Sequence, residues 1–476
     1  MEVTHIKLAN IGRFQSLPIS LATQGRDGSN VTVFIGNNGA GKTSILKALA
    51  TSLSWFVARL RSEHSAGTPI PEEAIRNGAQ SAAISLTVQD QQEFQWTISK
   101  TRKGRVAAEH NSQLQGAALL AERYRQRLTG NDASNLPLIA YYPVERSVVT
   151  AALKAGGKYS FGQLDGYDTS LSKGVDFRHF FDWFREREDI EHEKLNPGAA
   201  LKAINSDPAR FAELQQWAQT GSERVDRIKQ FDWEALNDEV RKMREVMAFL
   251  QRVEASAKDA PLQAVRAAIQ HFMPGFSDLR VQREPQPHMI VSKGGETLDI
   301  AQLSQGEKSL MALVGDIARR LAMLNPEMPD PLAGEGIVLI DEVDLHLHPQ
   351  WARTIIERLT TTFPRCQFVL CTHSPLVISD SRNVVVYSLE NGALVRLPSQ
   401  YGQDANTVLL EAMDTDIRNA GVAKRLNDLL DLIQDRKLAQ AHAVLAQLEQ
   451  ELPANNLELS KAKLLLHKEE LRLAKN

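Results

Sequence analysis

The chain has 476 residues, 43% of them hydrophobic, enough to bury a large core and to form about two to four domains. Its 55 basic and 58 acidic residues leave a formal charge of -3, so no global attraction to nucleic acid is implied. No apolar run approaches the ~18 residues of a membrane span, the N-terminus lacks a signal-peptide pattern, and Cys366 and Cys371 read as buried thiols in a reducing cytosol; a soluble, cytoplasmic protein is expected.

Residues 1–35 read as strands: HIKLANI, a polar loop from Gln24 to Asn30, then VTVFI. The last run ends in Gly36-Asn37-Asn38-Gly39-Ala40-Gly41-Lys42-Thr43, followed by Ser44, and fits G-x-x-x-x-G-K-[ST]. Glycines let such a loop wrap closely round phosphates, and its N–H groups and the following helix N-terminus favour negative charge. Lys42 would reach the β- and γ-phosphates of a nucleotide, and the Thr43 hydroxyl would ligate Mg²⁺. The context suits this, because a helix follows with Ile45, Leu46, Leu49, Leu53 and Phe56 on one face. A functionless Gly-rich turn is the bland alternative.

From Ala82 to Lys103 the alternation AISLTV…FQWTISK predicts antiparallel strands, with a turn near Lys103-Gly104. Residues 100–130 carry Lys100, Arg102, Lys103, Arg105, Arg123, Arg125 and Arg127 against Glu109 and Glu122. Two readings stand: a patch that neutralises a nucleic-acid backbone, and a solvated hairpin tip and helix face. LPLIAYYPV, Leu136 to Val144, is a buried-strand run ending in Glu145-Arg146-Ser147, where Arg146 either senses nucleotide or pairs with Glu145. Gly156 to Gly174 reads as a loop. Residues 175–260 read as mainly helical, with Phe177, Phe180, Phe181 and Phe184 as a packing stripe and no sustained heptads.

After a helix near Leu262 to Phe272, LRVQRE and HMIVSK return as strands. Leu303-Ser304-Gln305-Gly306-Glu307-Lys308-Ser309 then opens a helix with Leu310, Leu313, Val314 and Ile317 along one side, a second anion site. Beyond it, the apolar runs GIVLI and QFVLC flank a helical pattern from Trp351 to Phe363. That order makes a crossover unit with two buried parallel strands, whose ligands sit at the carboxyl ends. There the chain places Asp341-Glu342 and Thr372-His373-Ser374. Asp341 would orient a hydrated Mg²⁺, Glu342 would polarise the nucleophile, and His373 would hydrogen-bond a γ-phosphate. His346 and His348 suggest zinc only weakly, since a single H-x-H is rarely a site. After a strand pair from Val384 to Leu397 the chain reads as helical. Leu426, Leu429, Leu430 and Ile433 form one seam, and Leu438, Ala441, Leu445, Leu448 and Leu452 another. Leu457 to Leu473 is a last, charged helix. Such short antiparallel helices either dock a partner or cover a flank.

GNNGAGKT, LSQGEKS, LIDEVDLHLHP and THSP, in this order, resemble the α/β ATPase heads of the ABC superfamily, in its SMC/RecF/OLD branch. The resemblance implies a P-loop head with a mixed sheet, a helical insertion and a helical tail. Its parts would be 1–150 and 261–400 as the two lobes, 151–260 as the insertion and 401–476 as the partner-docking tail. It implies head-to-tail homodimers that sandwich ATP and Mg²⁺. Gly36 to Ser44 of one copy would hold the phosphates, and Ser304, Gln305, Gly306 and Glu307 of the other would close over them. Thr43 and Asp341 would hold the metal, Glu342 would be the catalytic base and His373 the switch histidine. No convincing glutamine stands at the family's Q-loop position after LPLIAYYPV.

YYPVERS, FRHFFDWFRERED, GDIARRLAMLNP and LHLHPQW further resemble the PtuA-type ATPases of Septu anti-phage systems and their retron-associated relatives. That implies a defence complex with an HNH nuclease (PtuB-like), with or without a retron reverse transcriptase and its RNA–DNA hybrid. The insertion between Thr43 and Leu303 does not suit a transport ATPase. The residues after His373 lack a strand-borne Glu followed by D-x-D, so no nuclease site is expected in this chain. The alternative is a RecF-like repair head that binds DNA directly, through residues 100–130. The residues support an ATPase site without fixing its rate, and slow hydrolysis would serve as a timer.

Overall fold

The computed structural model describes residues 1–105, 111–130, 134–144, 161–172, 177–194, 237, 240–241, 243–244, 258–390, 392–413, 415–453 and 455–473. The chain divides into two compact units, Met1–Gly402 and Gln403–Asn476. In chain order the strands of the first are β1 (Glu2–Ile11), β2 (Phe14–Ser20), β3 (Val31–Gly36), β4 (Ser81–Gln89), β5 (Glu93–Thr101), β6 (Leu138–Tyr142) and β7 (Phe276–Gln282). They continue with β8 (His288–Lys293), β9 (Glu296–Asp299), β10 (Gly336–Ile340), β11 (Cys366–Cys371), β12 (Val385–Glu390) and β13 (Ala393–Arg396).

The central sheet runs β13-β12-β3-β11-β10-β6. Its pairs are parallel except β12 with β13, so the sheet is mixed. β6, β10 and β11 are buried along their whole length and apolar but for Gln367 in β11, as strands covered on both faces must be. The register aligns Tyr142 with Ile340 and Ile340 with Leu370, so the loops after β6, β10 and β11 leave one edge of the sheet together with the loop after β3.

A second sheet, β2-β1-β4-β5, is antiparallel. Its β4–β5 hairpin reverses at Asp90–Gln92, where Gln89 still pairs with Glu93; Lys103-Gly104 is a turn beyond the end of β5. Gln367 of β11 joins this sheet to the central one. Its buried amide accepts the Val3 N–H at 2.8 Å and donates to the carbonyls of Val3 and Ala22, also at 2.8 Å. A leucine there would strand three buried backbone groups, at about 1–3 kcal/mol each. The third sheet is β7-β8-β9.

Two helices pack a dense charge cluster against this frame. Helix Gln305–Leu324 is buried on every side from Ser309 onward. Within it Asp316, wholly buried, accepts from Arg319 and Arg320 at 2.6 Å each and from the Tyr142 hydroxyl at 3.0 Å. Burial alone would raise the pKa of Asp316; the two guanidiniums outweigh it and hold the carboxyl below its ordinary value. Arg320 also donates to the carbonyls of Gly166 and Asp168, at 2.7 and 2.9 Å. Phe177, Phe180, Phe181 and Phe184 of helix Phe177–Lys194 are buried, as the stripe predicts. The helical reading of 195–257 lies outside the described residues apart from 237, 240–241 and 243–244.

The second unit is helical: Ala405–Glu411, Ala420–Gln434, Leu438–Glu451 and Leu457–Leu473. Its core joins Leu426, Leu429, Ile433, Ala441, Leu445 and Leu448 to Leu459, Ala462 and Leu466. Among the described residues no helix is long and apolar enough to cross a membrane.

Candidate functional site

β3 delivers the loop Gly36 to Gly41 to the N-terminus of helix Lys42–Arg61. Gly36 and Gly41 have φ of 139° and 110°, where L side chains are strained. Space forbids a side chain as well: a Cβ on Gly36 would lie 2.6 Å from the Leu389 carbonyl, and one on Gly41 2.5 Å from the Phe14 ring. The first-turn N–H groups of the helix have no intrahelical acceptor, so they face whatever the loop encloses. Lys42 arches back over the loop and donates to the carbonyls of Gly36 and Asn37, at 2.7 and 3.3 Å. Burial depresses the pKa of this ammonium, while Asp341 and Glu342 pull it back up.

β10 ends at Ile340 and places Asp341 beside that lysine. Asp341 is buried, and its Oδ2 has no hydrogen-bond partner. An orphaned buried carboxylate oxygen is costly, and it is the group a divalent cation would satisfy. The donor set fits Mg²⁺, a hard ion held by one or two carboxylates and substrate phosphates; Asp341 would supply the carboxylate and Thr43 a hydroxyl. Among the described residues no group of three or more His, Cys, Asp and Glu side chains converges to hold a metal. His348 instead caps helix Pro349–Thr362, its Nδ1 accepting the Gln350 N–H at 3.3 Å.

Glu342 has a left-handed backbone, φ 44°, which costs roughly 1–2 kcal/mol in a non-glycine residue. The loop that carries it is stitched to the loop after β11. Val343 N–H donates to the Cys371 carbonyl at 2.9 Å, the Thr372 hydroxyl donates to the Asp344 carboxylate, and Ser374 N–H donates to Thr372 Oγ1 at 2.9 Å. His373 rides on that second loop. Its pKa is lowered, first by burial and next by Lys42, against the pull of Glu342, Asp344 and Asp341. Lys42, Asp341, Glu342 and His373 are thus gathered at one sheet edge.

Ser304 caps helix Gln305–Leu324 in a closed capping box. Its Oγ accepts the Glu307 N–H at 3.3 Å, and Glu307 Oε2 accepts from Ser304 N–H at 2.9 Å and from the Ser304 hydroxyl at 2.8 Å. Burial would raise the pKa of Glu307, but Lys293, at 2.7 Å, and Ser304 together hold it low. Gly306 presses on the Asp341 loop of its own chain, where a Cβ would lie 2.3 Å from the His346 carbonyl. Gln305 begins the helix between them.

Sequence reasoning missed the β1–β2 turn. Phe14 and Arg13 pack on Gly41, and Gly12 lies against Ser44. The Gly-Arg-Phe between two strand runs was the available signal. Glu145, Arg146 and Ser147 lie outside the described residues. Of the basic stretch, Arg102 donates to the carbonyls of Ile75 and Arg76, Arg123 lies 3.6 Å from Asp90, and Arg125 donates to the Arg59 carbonyl. Lys103, Arg105 and Arg127 are exposed.

The family model described as "AAA domain" matches residues 5–260, and that described as "AAA domain, putative AbiEii toxin, Type IV TA system" matches 156–379. The chain is 34% identical over 417 residues to the "Retron Ec83 probable ATPase" of Escherichia coli, covering 84% of this chain and 73% of that protein. It is 32% identical over 387 residues to the "Retron Vc95 probable ATPase" of Vibrio cholerae serotype O1 biovar El Tor, covering 79% and 71%. A shorter match, 37% over 116 residues, reaches the "Septu protein PtuA" of Bacillus mycoides (strain KBAB4), covering 23% and 16%.

Proposed function

The chain belongs to the family of the retron ATPases, and from that premise we propose that it binds and hydrolyses ATP as the nucleotide-gated regulator of an anti-phage defence complex. The observation that carries the enzymatic reading is the gathering of Lys42, buried Asp341, Glu342 and His373 where the phosphate loop leaves the same sheet. Gly36 to Ser44 hold the phosphates through backbone N–H groups and Lys42. Thr43 and Asp341 hold Mg²⁺, which when bound neutralises phosphate charge. Glu342 takes the proton of the attacking water, and His373 donates to the γ-phosphate. Ser304, Gln305, Gly306 and Glu307 of a second copy complete the site in a head-to-tail dimer. Residues 401–476 dock the effector, an HNH nuclease, with or without a retron reverse transcriptase and its RNA–DNA hybrid.

Glu342→Gln tests the chemistry: ATP binding is kept, a closed dimer accumulates, and turnover falls about 10²–10⁴-fold, the usual worth of a general base. Wild-type turnover in that variant overturns the assignment. Purification of the tagged protein from its host, with neighbouring genes intact, tests the setting. Recovery of a small HNH protein supports the defence role; recovery with replication-repair proteins supports a RecF-like head. Against that second reading stand Arg102, Arg123 and Arg125, which are engaged by their own chain.

A further inference from the structure

Helix Leu457–Leu473 has two apolar faces. Leu459, Ala462 and Leu466 are buried in the helical unit. On the opposite side Leu457, Leu464 and Leu471 follow one another at seven-residue intervals and are 67%, 71% and 52% exposed. At about 100° per residue, the positions beside this stripe are Ser460, Lys461, His467, Lys468 and Arg472, with no acidic side chain among them. The acids nearest these side chains, Glu458 on Lys461 at 3.2 Å, Glu470 on His467 at 3.5 Å and Glu469 on Arg472 at 2.8 Å, lie on the flanks toward the buried face. We propose that this leucine stripe is a docking surface for an amphipathic helix of a partner protein, apolar at heptad spacing and flanked by Glu or Asp.

Three arguments choose that occupant. One leucine every two turns makes a stripe narrow enough for a single helix to cover, with polar residues at the neighbouring seam positions, whereas a membrane surface takes a broad apolar face. A second copy of the same helix would set Lys461 and Lys468 against their own kind, a destabilising pairing. Carboxylates of the partner meet Lys468, and meet Lys461 and Arg472 in exchange for their own exposed partners Glu458 and Glu469. The proposal deepens the docking role given to residues 401–476 and rests on that reading for its biological setting alone.

The test uses the full chain and two fluorescein-labelled designed helices, with leucines at heptad spacing and flanks all Glu in one and all Lys in the other. Anisotropy titration should show the Glu helix bound at least tenfold tighter. Leu464→Gln should weaken it at least tenfold at an unchanged melting temperature, and Lys461→Glu/Lys468→Glu should reverse the preference. Equal binding of the two helices, or none, overturns the proposal. So does self-association in sedimentation, or pelleting with phosphatidylserine vesicles, that Leu464→Gln abolishes. If the preference holds while host purification yields no nuclease, the surface stands and the nuclease reading falls.

Discussion

The two anion sites proposed for this chain differ in how far their side chains are already satisfied within the fold. At the phosphate loop, Lys42 is held by carbonyls of its own loop and Asp341 keeps a buried oxygen with no partner. At the helix that begins with Gln305, Ser304 is closed on Glu307 by reciprocal hydrogen bonds and Gly306 is pressed on His346. The first is an open cradle and the second a finished cap. In the composite site proposed above, a ligand would satisfy the orphaned oxygen of the first, whereas in the second it would compete with Glu307 for the Ser304 hydroxyl.

The sharpest way to break this contrast is Asp341→Asn. With Mg²⁺ present, ATP affinity should fall about 10–100-fold, the worth of a charge-assisted contact of ~1.5–3 kcal/mol, and with EDTA it should not change. Equal losses in both buffers would mean that the orphaned oxygen is not the metal's. Gly306→Ala comes next. The added Cβ meets the His346 carbonyl, and overpacking costs about 1–3 kcal/mol, so the melting temperature should drop without nucleotide. A glycine needed solely by a partner's nucleotide would leave the apo protein unmoved. Glu307→Ala should cost about 0.5–2 kcal/mol through the lost cap yet release Ser304, so that in a Glu342→Gln background dimers form at lower ATP. Dimerisation at unchanged ATP would show that the cap is no gate.

The smallest effect is titration of His373. Its pKa is lowered in the fold, so as pH falls through the ordinary imidazole range near 6.5 the unfolded chain binds the proton first. Stability contributed by this group is therefore present above that range and lost toward acid. NMR titration should place its midpoint below the ordinary value; a midpoint above it would mean that the carboxylates outweigh burial and Lys42.

The open cradle was legible because its determinants are local. Closely spaced glycines, the lysine and the apolar runs that lead into Asp341 and His373 each announce themselves within a few residues. The cap was legible as a motif, but its closure was not. Gly306 meets a carbonyl forty positions away in sequence, and only the folded loop brings it there. The strand order was equally hidden, since nothing local says that β11 lies between β3 and β10. Gln367 reads as a lone polar residue in a core strand until Val3 and Ala22 are seen to need its amide. Asp316, Arg319 and Arg320 sit at spacings typical of a surface ion pair, yet burial makes them a core cluster.

That cluster has a mechanical consequence. Arg320 rivets helix Gln305–Leu324 to the carbonyls of Gly166 and Asp168, and the Asp168 carboxylate holds Arg61, at the far end of the phosphate-loop helix, at 2.6 Å. Through Asp316 the same helix grips Tyr142, whose carbonyl takes the Asp341 N–H at 2.9 Å. A push on the tip at Ser304 thus meets a braced beam. The same helix is tied both to the strand end that carries Asp341 and to the far end of the phosphate-loop helix, which makes the three elements one braced unit.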